Sequence, residues 1–168
     1  MKKKIKSLEE IVEIVKKAKS HKSTVSLITG CFDVVHIGHI KLLSFAKKRS
    51  DIVIVGLEND QNIKIAKGGD RPIHKLEERI EVLSELISID YVFAIESVID
   101  FSSPGANRQY LFLYKKIKPD YLVTNLHADR FWKNKQKHAN EIGIKLLLDK
   151  RRRLSASSKI VELLEKQF

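Results

Sequence analysis

His36 and His39 stand three residues apart with Gly38 between them, and at that spacing on a helix start both imidazoles project to one side. Each ring can donate a hydrogen bond, so a pair converging on one point suits stabilisation of the charge that builds on phosphate oxygens during group transfer. Gly38 lets a phosphate approach the backbone without a side chain in the way. Val25-Ser26-Leu27-Ile28 is an apolar run that reads as a buried strand, and Ile40 to Lys48 carries apolar residues at helical spacing. Thr29 to His39 is therefore a strand-to-helix turn. In a parallel α/β sheet such a turn lies at the carboxyl end of a strand, where ligands bind, and the helix N-terminus offers unpaired N–H groups to phosphate.

The rest of the chain supplies elements to hold that turn. Ser7 with Glu10 makes a capping-box pattern, and Leu8, Ile11, Val12 and Val15 follow at helical spacing. Ile52 to Leu57 is a continuous apolar run, the pattern of a parallel strand buried on both faces. Glu58 to Pro72 reads as a loop. Leu76 to Leu86 predicts a helix with Leu76, Ile80, Leu83 and Ile87 on one face, and Asp90 to Ile95 a third strand. A helix from Asn107 to Lys116, a strand at Asp120 to Val123, a Lys-rich helix from Phe131 to Glu141 and a strand at Ile144 to Leu148 complete the pattern. Five apolar strands alternating with helices predict an α/β fold with a single Rossmann-like, doubly wound parallel sheet. One domain is expected over residues 1–168, with an amphipathic helix in 1–22 and the core in 24–168.

No apolar run approaches the ~20 residues that span a bilayer, and Glu9, Glu10 and Glu13 interrupt any signal-like segment after the Lys-rich start, so a cytoplasmic protein is expected. Cys31 is the only cysteine, which excludes an intrachain disulfide and a Cys-based zinc site. The net charge of +11 gathers in residues 1–22, with eight Lys against three Glu, and between Arg130 and Arg153. Nucleic acid is the obvious partner for such a surface. The few aromatic residues are not interleaved with the basic ones as a single-strand platform requires, however, and phosphorylated small substrates gain equally from a positive field.

Gly30-Cys31-Phe32-Asp33-x-x-His36-x-Gly38-His39 resembles the HxGH signature of the cytidylyltransferase-like nucleotidyltransferases, a superfamily that includes class I aminoacyl-tRNA synthetases. It looks most like the adenylyltransferases of the ADP-heptose pathway, which share the added first helix, with glycerol-phosphate cytidylyltransferases next. The resemblance implies attack of a substrate phosphate on the α-phosphate of an NTP, release of pyrophosphate, and a need for Mg2+, whose ligands it leaves unassigned. It makes His36 and His39 catalytic and places Thr29, Gly30, Cys31, Phe32, Asp33 and Gly38 around the nucleotide. Lys67-Gly68-Gly69 and Arg71-Pro72 resemble the loop over the triphosphate, with Lys67 and Arg71 meeting phosphate oxygens. Arg79 corresponds to an arginine that sits near the acceptor or braces that loop, and on its own helix it reads equally as a surface salt-bridge partner. At the end of the fourth strand the family shows glycines and an Asp followed by Tyr or Trp. Here the stretch is Thr124-Asn125-Leu126-His127-Ala128-Asp129, with Thr124 and Asn125 assigned to the nucleotide and Asp129 to the acceptor. Arg151 to Val161 resembles the terminal R-x-x-x-I-S-T-[ST]-x-I-I motif, making Arg151 a catalytic phosphate ligand and Ser157 and Ser158 nucleotide ligands, with Ala156 in place of the first serine.

The implied activity is transfer of AMP from ATP to a sugar phosphate such as heptose 1-phosphate, by a homodimer without membrane or nucleic-acid partners. A CTP-dependent enzyme acting on glycerol 3-phosphate or another polyol phosphate is the alternative. A nucleic-acid-binding protein that kept the fold without the chemistry is the third reading.

Overall fold

The computed structural model describes residues 4–98 and 105–152. Helix α1 (Leu8–Ser20) begins at the expected capping box: the Glu10 amide donates to Ser7 Oγ at 3.2 Å, and the Ser7 amide donates to the Glu10 carboxylate at 2.8 Å. It buries Ile11, Val15 and Ala18. Strand β1 (Val25–Gly30) runs into α2 (Ile37–Lys47), followed by β2 (Ile52–Glu58), α3 (Asp60–Lys67), α4 (Leu76–Ser84) and β3 (Tyr91–Ile95). After residues 99–104 come α5 (Gly105–Ile117), β4 (Tyr121–Asn125), α6 (Trp132–Ile142) and β5 (Lys145–Asp149).

The strands form one parallel sheet in the order β3-β2-β1-β4-β5. Successive side chains of a strand face opposite sides, so each strand feeds two cores. Leu27, Ile54, Phe93 and Leu122 pack with α1, α5 and α6, through residues such as Ile11, Val15, Leu113 and Ala139. Ile28, Val53, Val55, Val92 and Val123 pack with Leu43 and Ala46 of α2 and Leu83 of α4 on the other face. The doubly wound α/β sheet expected from the alternation of elements is therefore present. Strand order reverses between β1 and β4, and the crevice beyond their carboxyl ends is where this architecture binds ligands.

Residues 4–6 lie along the outer side of β3. Lys6 N–H donates to the Val92 carbonyl at 2.9 Å and Val92 N–H donates to the Lys4 carbonyl at 3.0 Å, with Ile5 and Val92 forming a parallel bridge.

Two local expectations need correction. The stretch from Glu58 to Pro72 is not all loop, because α3 occupies Asp60–Lys67. Its start has an ordinary signal, since Asn59 accepts the Asn62 amide as N-cap. Its apolar face is hard to see because Asn62, fully buried, stands where a hydrophobic residue would complete the period. The second correction is Ile87, which lies past the end of α4 at Ser84 and is 93% exposed rather than part of the apolar face.

Candidate active site

The turn after β1 is shaped by Phe32, whose backbone is left-handed (φ 47°). A non-glycine residue held there costs about 1 kcal/mol or more, and the surroundings must offset it. The Phe32 ring does so by burying to 4% exposure and resting 4.8 Å from the His39 ring. The chain then enters α2 with His36 as N-cap. Gly38 N–H donates to His36 Nδ1 at 3.1 Å, and His36 N–H donates to His39 Nδ1 at 3.4 Å. An Nδ1 that accepts a backbone amide cannot carry the ring proton, so this pattern assigns the proton to Nε2 in both rings. The rings stack with centroids 3.8 Å apart, 19° from parallel.

Burial, then the neighbouring His36 and Lys67, hold the His39 pKa down at about 3. At neutral pH His39 is thus a neutral Nε2–H donor. Between its ordinary pKa of 6.5 and about 3, the unfolded chain binds a proton on this ring that the folded chain does not. His39 therefore lowers stability as pH falls through that window, and its destabilising effect vanishes above it. In ¹⁵N-resolved histidine spectra the His39 ring is expected to remain the neutral Nε2–H tautomer at pH 5. An imidazolium signal for His39 at that pH would overturn the assignment.

A cleft of about 730 Å³, within the range of small-molecule sites, opens at the carboxyl end of the sheet. It brings together His36, Gly38 and His39 with Thr29, Gly30, Cys31 and Phe32. Lys67 reaches it from the last position of α3. Thr124, Asn125 and Asp129 line it from β4 and the turn beyond. Arg151 lines it after β5, with its guanidinium held as a fork: Nε and Nη2 each donate to Asp149 at 2.8 Å, and Nη2 donates to the Lys41 carbonyl at 2.7 Å. Asn125 organises its own turn, its Oδ1 accepting the His127 and Ala128 amides at 2.9 Å. Burial pushes the Cys31 thiol up, so it is not poised as a thiolate nucleophile.

Three of the expected site residues carry structural contacts. Asp33 lines the cleft, but its carboxylate is 2% exposed, pairs with Arg71 at 2.5 Å and accepts the Ile73 amide at 2.7 Å. It ties down the segment after α3. Arg71 is absent from the cleft lining and lies in that pair. Arg79 is 1% exposed, and its guanidinium donates to the carbonyls of His74, Cys31 and Glu58 and to the Asp60 carboxylate. It is no surface ion pair, and its surroundings match the brace. Ser157 and Ser158 lie outside the described residues.

The cleft also contains polar groups that sequence reasoning missed. Glu58, at the end of β2, is 2% exposed and takes hydrogen bonds from Tyr110 Oη and, at 2.8 Å, from Asn62 Nδ2. Tyr114 shares a 3.2 Å hydrogen bond with Thr29 Oγ1. Lys135 Nζ lies 2.8 Å from Asp129 Oδ2, and His138 follows one turn later on α6. Burial raises the Asp129 carboxyl, but the Lys135 ammonium and hydrogen bonds from Lys135, Thr124 and the Phe131 amide outweigh it, and the net direction is down. The converse holds for Lys135: burial lowers its pKa, while Asp129 first among its neighbours raises it further, so the ammonium stays charged. Lys135 and His138 were legible only as an i, i+3 pair in a Lys-rich helix, a pattern shared with any solvated face.

The sequence pattern of the cytidylyltransferase-like family matches residues 27–162. The chain is similar to the bifunctional protein HldE of Sulfurimonas denitrificans, 39% identical over 119 residues, which are 71% of this chain and 23% of that protein. It is 41% identical over 120 residues to the bifunctional protein HldE of Campylobacter concisus, again covering 71% and 23%. The chain thus spans about a quarter of the length of the curated relatives it matches. Among solved structures, the lipopolysaccharide core biosynthesis protein from Thermoplasma volcanium matches with a TM-score of 0.60 and 24% identity, over 78% of this chain and 99% of that one. Pantothenate synthetase from Thermus thermophilus matches with a TM-score of 0.67 and 16% identity, over 97% and 70%. At those identities the two structures speak for the fold alone.

Proposed function

Because the chain belongs to the cytidylyltransferase-like family, we propose that it is a nucleotidyltransferase joining an NMP unit from an NTP to a phosphorylated small molecule, with ATP as donor and a sugar phosphate such as heptose 1-phosphate as acceptor. The observation that carries this reading is the pair of stacked imidazoles at the start of α2, both with Nδ1 engaged by backbone amides and so with Nε2–H as donor. An oxygen of the acceptor phosphate attacks the α-phosphorus, a new P–O bond forms, the bond to the bridging α,β-oxygen breaks, and pyrophosphate leaves with that electron pair. The imidazoles donate to α-phosphate oxygens where charge gathers, the N-terminus of α2 adds its dipole, and Lys67 and Arg151 neutralise the departing phosphates. No covalent enzyme intermediate is needed, so rate acceleration comes from positioning and charge.

Magnesium fits this chemistry as a companion of the nucleotide. Among the described residues no group of three or more His, Cys, Asp or Glu side chains is placed to cage an ion, and Asp33 in the cleft is already engaged. A divalent ion held largely by the substrate's own phosphates suits that donor set and would screen their charge. We read the protein as cytoplasmic and homodimeric, within one domain. Among the described residues no helix is long and apolar enough to cross a membrane.

Screening pyrophosphate release over four NTPs and a panel of phosphate esters tests the activity directly. ATP is expected to exceed CTP at least ~10-fold in kcat/KM with a heptose 1-phosphate, because a pocket built to hydrogen-bond one base leaves buried groups unpaired against the other. The resemblance of the Gly30 to Asp33 turn and the added first helix to the adenylyl enzymes supports that choice, as do the matches to bifunctional HldE proteins. A preference for CTP in the same assay moves the reading to a cytidylyltransferase.

A further inference from the structure

Of the cations that line the cleft, Lys67 and Lys135 form two separate centres, and the imidazoles account for only the first. Lys67 acts on the His39 ring and on Cys31, whereas Lys135 acts on Asp129, Tyr114 and Glu58. The second centre is a built site. The Lys135 side chain is 13% exposed, with Nζ 2.8 Å from Asp129 and 3.5 Å from the Thr29 carbonyl at the reversal of strand order. His138, one turn along α6 and 7% exposed, lines the same cleft, and its Nδ1 has no hydrogen-bond partner among the described residues. An orphaned buried nitrogen beside an oriented ammonium needs a polar ligand to complete it.

We propose that this centre seats the phosphorylated acceptor: the Lys135 ammonium takes its phosphate, His138 bonds its polar edge, and the Glu58 carboxylate accepts its hydroxyl groups. The proposal rests on the transferase reading above and assigns the acceptor side of it. Two polyanions must enter one cleft, and with a triphosphate held by Lys67 and Arg151 the second phosphate needs a cation of its own. Lys41, Arg130 and Arg152 also line the cleft but are exposed, whereas Lys135 is held inside it beside the orphaned His138 nitrogen. Glu58 is suited to hydroxyl recognition because Tyr110 and Asn62 fix both of its oxygens while each retains acceptor capacity. A ligand rich in hydroxyls and carrying one phosphomonoester matches those groups. An apolar or cationic acceptor does not.

Lys135→Met is expected to raise the KM for a heptose 1-phosphate at least ~10-fold, the scale of one charge-assisted hydrogen bond, while the KM for ATP moves less than ~3-fold. Because Met leaves Asp129 unpaired, the double variant Asp129→Asn/Lys135→Met, which restores charge balance, is measured alongside and is expected to show the same split. Glu58→Gln is expected to raise the KM for the sugar phosphate while leaving the affinity for inorganic phosphate unchanged. Phosphate affinity is read calorimetrically in the presence of a non-hydrolysable ATP analogue, and the wild type is expected to bind at least ~10-fold more tightly than either Lys135 variant. Equal phosphate affinity in wild type and both variants, or no phosphate binding to the wild type, overturns the subsite. A wild-type protein that turns over no ester with any NTP overturns the transferase reading instead, and the phosphate titration still decides whether Lys135 is an anion site.

Discussion

His39→Ala is expected to lower kcat by roughly 10²-fold while the affinity for ATP changes severalfold at most, and His36→Ala should behave alike. The scale is that of deleting one donor aimed at transition-state charge. The split follows from timing, because extra charge on the α-phosphate oxygens exists only as the new bond forms, whereas Lys67 and Arg151 meet charge that the triphosphate already carries. Each imidazole also supports the other, since the His39 ring accepts the His36 amide and the two rings stack. The double variant should therefore lose less than the product of the single losses. His39→Gln, which can present an amide N–H near the Nε2 position, should recover part of the rate. Equal losses in binding and turnover, or near-normal turnover in either alanine variant, would remove the pair from catalysis.

The second large effect concerns stability. Arg79→Ala is expected to cost about 3 kcal/mol, the scale of leaving hydrogen-bond acceptors without their donor. The guanidinium joins the ends of two neighbouring strands to the elements beyond them: Nη1 donates to the Cys31 carbonyl at 2.6 Å, and Nη2 to the Glu58 carbonyl and the Asp60 carboxylate at 2.8 Å. Nε adds the His74 carbonyl at 3.0 Å. Alanine leaves the Glu58 carbonyl, the buried member of the set, without its donor and the part-buried acceptors with only partial access to water. Arg79→Lys should rescue little, because one ammonium cannot reproduce the planar fork. Urea unfolding followed by circular dichroism supplies the measurement. An Arg79→Ala protein within about 1 kcal/mol of wild type would show that the network is dispensable.

These residues illustrate what the chain discloses before folding. His36 and His39 were legible because their spacing around Gly38 and their place between an apolar strand and a periodic helix are local facts. The sheet was legible for the same reason, each strand being a short apolar run with its own boundaries. Arg79 was ambiguous because an arginine in an amphipathic helix reads as a surface ion pair unless the three carbonyls that converge on it are known, and those come from residues up to 48 positions away. Lys135 and Glu58 were hidden for a related reason. A lysine among lysines and a glutamate at the head of a polar stretch carry no sign of burial, which only the meeting of β2, α5 and α6 creates.

The short pairing of residues 4–6 with β3 constrains how two copies can assemble. An unpaired outer strand is a template on which a second molecule can continue the sheet, giving a common geometry for a symmetric dimer. Here both backbone groups of Val92 are taken by Lys4 and Lys6 of the same chain. A sheet-continuing dimer through β3 would first have to strip that segment away, losing the two hydrogen bonds that make the Ile5–Val92 bridge. Self-association without that rearrangement must use another surface. Shortening the chain past Lys6 would uncover the β3 rim and favour edge-to-edge pairing, visible in sedimentation as an oligomer larger than the one the intact chain forms at the same concentration.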